Sequence, residues 1–124
     1  MKTAVNHVSF DCHDTYEQAK FWCAVFEVSM DPEDQPGDPE SIVRVEGGPT
    51  LLFIQVPEAK TIKNRVHLDL QPGLRRDEEV ERVKGLGATQ LDDQRRPDGR
   101  GWVVMADPEG NEFCIERSAA EREG

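Results

Sequence analysis

Asn64-Arg65-Val66-His67-Leu68-Asp69-Leu70 alternates apolar and polar residues with period two, the pattern of a strand with two unlike faces. Val66, Leu68 and Leu70 fall on one face, His67 and Asp69 on the other. Near the start of the chain, Asn6-His7-Val8-Ser9-Phe10-Asp11 follows the same rule, with Val8 and Phe10 on one side and His7, Ser9 and Asp11 opposite. Read as equivalents in a duplicated structure, the two strands each bring one histidine to a shared polar surface. Function is expected on that surface.

The sequence around each strand fits the duplication. After the first, Asp14-Thr15-Tyr16-Glu17 resembles a helix-opening capping box, and Ala19, Trp22, Cys23 and Phe26 form one apolar helical stripe. Glu27-Val28-Ser29-Met30 reads as a short strand. Asp31 to Glu40, with three prolines and five acids, reads as a polar loop, either a lid or an inert solvated stretch. Residues 41–46 and 51–56 read as a hairpin around Gly47-Gly48-Pro49. After the second strand, a helix opened by Asp77 turns Val80, Val83 and Leu86 inward and ends at Gly87. Strands follow at 88–91, 102–105 and 112–117, the last after a type I turn at Asp107-Pro108-Glu109-Gly110.

The fold class expected is therefore α+β: one domain over 1–124 built from two βαβββ modules. The first module spans 4–56, a linker 57–64, the second module 65–117, and a frayed tail 118–124. In the last strand Phe113 and Ile115 pack under a helix, while Glu112, Cys114 and Glu116 share the other face. The helix-free faces of the two modules would then curve around a shared cleft.

Composition bounds the partners. The chain has 124 residues, of which 36% are hydrophobic and 32% charged, enough for one real core and a well-solvated exterior. A net charge of -10 opposes binding to nucleic acid or an anionic membrane. There is no signal-peptide pattern and no apolar run of membrane-spanning length. Cys12, Cys23 and Cys114 are odd in number and widely spaced, unlike a disulfide framework, and a reducing cytoplasm is the expected location. Cys23 lies on the buried stripe, and Cys12 and His13 point to opposite faces, so neither supports a catalytic thiol.

Several of these pieces, in this order, resemble one family. They are Asn6 to Asp11, the Phe21-Trp22 pair, Arg65 to Leu70, Leu86-Gly87-Ala88-Thr89, and Ala106 to Cys114. Over about residues 4–117 the chain resembles the vicinal oxygen chelate superfamily, which includes glyoxalase I, fosfomycin-resistance enzymes, extradiol dioxygenases and bleomycin-binding proteins. More narrowly it is similar to the glyoxalase-like domain group. The resemblance implies two modules in a half-open curved barrel around a central cleft, binding of a small molecule, and a homodimer.

In metal-dependent members a divalent metal is held by two histidines and a glutamate. His7 and His67 match the histidines. The glutamate position falls on Cys114, with Glu116 two residues further, about 7 Å along the strand. Two alternatives stay open. In one, Zn, Ni, Mn or Fe is held by His7, His67 and Glu116, or with Cys114 as a thiolate. In the other, no cofactor is bound and both histidines are hydrogen-bonding pocket residues. Glu116 and Asp69 are the candidate catalytic carboxylates, and Ser9, Gln55, Cys114 and Trp102 the candidate substrate pocket. The function expected is a lyase, isomerase or transferase acting on a small polar molecule, with a noncatalytic drug- or metabolite-sequestering protein as the alternative.

Overall fold

A computed structural model describes residues 1–123. The chain divides into two units, Met1–Lys60 and a second from Thr61 onward. Both are mixed α+β. The first contains β1 (His7–Cys12), α1 (Thr15–Phe26), β2 (Glu40–Val43) and β3 (Thr50–Gln55). The second contains β4 (Leu68–Leu70), α2 (Arg76–Leu86), β5 (Thr89–Asp93), β6 (Trp102–Ala106), β7 (Glu112–Glu116) and α3 (Ala119–Glu123). Among the described residues no helix is long and apolar enough to cross a membrane.

In the first unit Asp14 caps α1 as its sequence predicts, its Oδ1 accepting from the Glu17 N–H at 3.0 Å. The stripe is buried through Ala19, Trp22 and Cys23, and Phe21 and Val25 extend it, so the helix is covered more broadly than one stripe. The sheet runs β1-β3-β2, with β1 parallel and β2 antiparallel to β3. A buried bond from Ser41 Oγ to Thr15 Oγ1 (3.0 Å), and one from Thr15 Oγ1 to the Asp38 carbonyl (2.7 Å), fix the start of α1 against β2.

The strand expected over Glu27 to Met30 does not form. Glu27 adopts a left-handed conformation (φ 55°) and closes the helix, its N–H donating to the Ala24 carbonyl at 3.3 Å. The Cys23 thiol then donates to the Ser29 carbonyl, holding this segment to the helix end rather than to a sheet. The acid-rich loop that follows is tied down by its own carboxylates. Asp34 accepts from the Ile42 N–H at 2.9 Å, Asp38 from the Gln35 N–H at 2.9 Å, and Asp31 pairs with Arg44.

In the second unit the order is β4-β7-β6-β5, with β4 parallel to β7 and the other pairs antiparallel. Val103, Met105, Phe113 and Ile115 are fully buried, the alternation expected of a sheet covered on one face. The helix α2 lies against β7 and β5 and buries Val80 and Val83. Leu86 does not join them and is 38% exposed. The β6–β7 turn is closed around buried Asp107, whose Oδ1 accepts from the N–H groups of Glu109 (3.0 Å) and Asn111 (2.9 Å).

Within the expected frayed tail, Ala119–Glu123 is a helix, and Gly124 lies outside the described residues. Ser118 and Glu121 form an S-x-x-E capping box: Glu121 N–H donates to Ser118 Oγ (3.2 Å) and Ser118 N–H to Glu121 Oε1 (2.9 Å). The same Oε1 accepts from the Arg76 N–H at 2.8 Å. The helix α2 begins at Arg76, one residue before the expected Asp77, and its N-cap Arg75 makes no side-chain cap bond. One carboxylate therefore caps two helices.

Burial pushes the Glu121 carboxyl up, but hydrogen bonds from Ser118 and Arg76 outweigh it and hold the pKa below its usual value. A depressed folded pKa contributes stability above the ordinary carboxylate range and loses it as pH falls through the folded value. Glu121→Ala is expected to cost about 1–2 kcal/mol at neutral pH. The difference from wild type, read from urea midpoints, should narrow below about pH 4.

Candidate functional site

The parallel register of β4 and β7 pairs Asp69 with Cys114, between Leu68 opposite Phe113 and Leu70 opposite Ile115. Neighbouring strands lie about 4.8 Å apart, so two register partners on one face meet directly. His67 stands two residues before Asp69 and returns to the same side, its Nε2 3.2 Å from Asp69 Oδ1. One ligand-capable atom from each of His67, Asp69 and Cys114 lies within 4.8 Å of the other two. Across β7, Val104 pairs with Cys114 and Trp102 with Glu116. The residues of this face, including Leu91 and Lys63, line a cavity of about 610 Å³.

His67 is positioned by structure its own strand does not supply. The strand expected from Asn64 to Leu70 is shortened to Leu68–Leu70, and Val66 is 71% exposed instead of sharing the buried face. The reason lies in Asn64. Its N–H donates to Glu112 Oε1 at 3.0 Å, and its Nδ2 to Asn111 Oδ1 at 2.9 Å. Asn111 is itself held by both carboxylate oxygens of Asp107. The segment entering the site is thus anchored to the β6–β7 turn by side chains.

Cys114 is only 6% exposed. Burial, then the charge of Asp69 and a hydrogen bond to it, push its thiol up to about 11, with Lys63 opposing weakly. At neutral pH it is a protonated donor to the Asp69 carboxylate, not a nucleophile.

The expected site residues divide between the units. His67, Asp69, Cys114, Glu116 and Trp102 line the cavity of the second. His7 and Ser9 lie exposed on β1 of the first, in register with Thr50 and Leu52. Gln55 also belongs to the first. Its amide donates to the His13 carbonyl at 3.2 Å and lines a hollow with His13, Val56 and Pro57. Glu116 has a neighbour at its outer end, Arg122 Nη2 at 3.4 Å. Leu91 and Asp92 were not foreseen. A register shift between Gln90 and Asp92 breaks the alternation of β5 and turns both toward the cavity.

The donor set of the second unit suits a divalent metal. Zinc bonds of about 2.0–2.3 Å in a tetrahedron separate ligand atoms by roughly 3.3–3.8 Å. The His67–Asp69 contact of 3.2 Å already has nearly that spacing.

A sequence profile of the glyoxalase-like domain matches residues 7–116. Among solved structures, a mutant of the fosfomycin resistance protein FosX from Listeria monocytogenes, complexed with Mn(II) and 1S,2S-dihydroxypropylphosphonic acid, is similar in fold. It shares 18% identity at a TM-score of 0.72, covering 98% of this chain and 95% of that one. A glyoxalase/bleomycin resistance protein/dioxygenase family enzyme from Burkholderia phytofirmans PsJN shares 18% identity at 0.71, covering 91% and 97%. Hypothetical protein SA1046 from S. aureus shares 19% at 0.70, covering 93% of each chain. No curated protein matches the sequence. At these identities the structures establish the fold.

The protonated thiol gives a direct measurement. In chelator-treated protein at pH 8, iodoacetamide should modify Cys114 at least ~100-fold more slowly than an ordinary free thiol, since the thiolate fraction falls tenfold per unit of raised pKa. Site-resolved mass spectrometry reads the rate, and modification at the free-thiol rate would contradict the buried, Asp69-bonded thiol.

Proposed function

Because the chain belongs to the glyoxalase-like domain family of the vicinal oxygen chelate superfamily, we propose that it is a small-molecule enzyme whose site is the cavity of its second unit. The reaction is of lyase, isomerase or transferase type on a compact polar substrate. The observation that carries this reading is the convergence of His67, Asp69 and Cys114 on the wall of a cavity of about 610 Å³, a size suited to one small ligand.

The groups divide the work. Asp69 is committed to His67 and Cys114, which orients all three against the substrate. Glu116 is the carboxylate left to move a proton, because its surface contact with Arg122 is long, exposed and weak. Trp102 and Leu91 offer the substrate exposed apolar surface in the lining of the cavity. His67, Asp69 and Cys114 would hold a divalent metal, which would supply Lewis-acid polarisation of a substrate oxygen.

A second reading is noncatalytic sequestration of a drug or metabolite. It is favoured by Trp102, a residue 39% exposed that lines the cavity, since an aromatic face serves recognition more than chemistry. Thermal-shift screening of compact polar molecules, followed by turnover assays on the hits, separates the two. For the enzyme, Glu116→Gln should lower kcat about 100-fold with little change in KM, and His67→Ala and Asp69→Asn should weaken binding at least tenfold. Full affinity for every hit in both of the latter variants would overturn the site. Binding without turnover, lost in Trp102→Ala, would establish sequestration.

The protein is further proposed to act as a homodimer, supported by β5, an edge strand exposed along its whole length. Light scattering at high concentration should give the mass of two chains, and a monomer mass would refute it.

A further inference from the structure

We propose that His67, Asp69 and Cys114 form a thiolate-ligated zinc site contained wholly in the second unit. It differs from the expected set of His7, His67 and Glu116 in two of three ligands, and from the expected alternative with a Cys114 thiolate in placing Asp69 where His7 would stand, so that it requires nothing from the first unit. It shares the cavity of the proposed function, but its tests need no substrate, so either can fail alone.

Geometry comes first. Three different donors, an imidazole nitrogen, a carboxylate oxygen and a sulfur, lie within 4.8 Å of one another. Closing to tetrahedral spacing takes a shift of about 1 Å at the widest pair. The site is built to make that shift. Cys114 is held in the middle of the sheet between β4 and β6, a fixed anchor. The side chains of His67 and Asp69 are 41% and 52% exposed and can adjust their rotamers. Three protein ligands leave the fourth position open toward the cavity, the arrangement of a catalytic rather than a structural zinc.

Donor chemistry selects the metal. A thiolate is a soft ligand, and it favours zinc over manganese, which prefers carboxylate, carbonyl and water oxygens. The Mn(II) of the FosX complex is therefore not the expected metal here. On binding, the sulfur–zinc bond replaces the sulfur–hydrogen bond and the proton leaves to solvent.

The experiment uses the full chain, stripped with chelator and reloaded. Elemental analysis after dialysis against equal zinc and manganese should give about one equivalent of zinc and little manganese. Cobalt(II) substitution should produce a near-ultraviolet thiolate-to-cobalt charge-transfer band with intense visible d–d bands. Cys114→Ser should lose the charge-transfer band and at least about tenfold in zinc affinity, with its circular dichroism unchanged. Asp69→Asn should keep the band and bind more weakly. His7→Ala should keep both the band and wild-type affinity.

Several outcomes overturn the site. They are less than about 0.1 equivalent of zinc in the wild type, manganese retained in preference to zinc, or a cobalt form without the thiolate band. Loss of metal in His7→Ala would show that the first unit supplies a ligand. If Cys114→Ser fails to fold, the cobalt spectrum of the wild type and the His7→Ala result still decide.

Discussion

The parallel pairing of β4 with β7 is the constraint on which the second unit turns. It is a short ladder, three residues against three, yet it sets which side chains meet. Leu68, Leu70, Phe113 and Ile115 go to one face and Asp69 and Cys114 to the other. A slip of one residue would bury Asp69 and expose Phe113, so the apolar face enforces the register on which the polar face depends. With the pairing fixed, β6 brings Val104 and Trp102 alongside, and the cavity has its floor.

So short a ladder needs support beyond its own hydrogen bonds, and side chains provide it. Asp107 organises the β6–β7 turn, Asn111 passes that order to Asn64, and Glu112 holds the Asn64 backbone. This chain of polar contacts puts His67 at the edge of the site without the strand that would otherwise carry it. Glu121 plays the corresponding part at the far end of the unit, joining α3 to the start of α2. In both places a carboxylate accepts backbone N–H groups that regular structure leaves unpaired.

Much of this was legible in the sequence because it rests on periodicity. The alternation of Glu112 to Glu116, the stripe of α1 and the Asp14 cap all read correctly, and the family motifs gave the fold. What escaped was set by side-chain bonds or by local irregularity. Period two extended the His67 strand back to Asn64 because it cannot see that Asn64 bonds to Glu112. It predicted a strand at Glu27 because a glutamate carries no mark of the left-handed conformation that ends α1. The shift at Leu91, which brings Leu91 and Asp92 to the cavity, breaks the very alternation used to find strands. The α3 cap did carry a signal, Ser118 followed three residues later by Glu121. Of the candidate site, His67, Asp69, Cys114 and Glu116 share a face in the sequence and line one cavity in the second unit, whereas the bond from the Gln55 amide to the His13 carbonyl in the first unit leaves no mark in a periodic pattern.

The presence of cysteine where the resemblance expects glutamate has a physical counterpart in Asp69. A carboxylate at position 114 would stand one strand spacing from the Asp69 carboxylate. Two such charges repel by up to about 4 kcal/mol at an effective dielectric near 20, reduced by water around the half-exposed Asp69. The cavity already carries Asp69, Asp92, Glu112 and Glu116 against Lys63, so a further negative charge has no offsetting partner. A neutral thiol removes the conflict and gives Asp69 a hydrogen-bond donor. The negative charge at this point of the sheet thus stands on β4 instead of β7, and it is placed beside a sulfur. The pair sits as a protonated thiol against a carboxylate, and the zinc site proposed for it would draw on the same register of three residues.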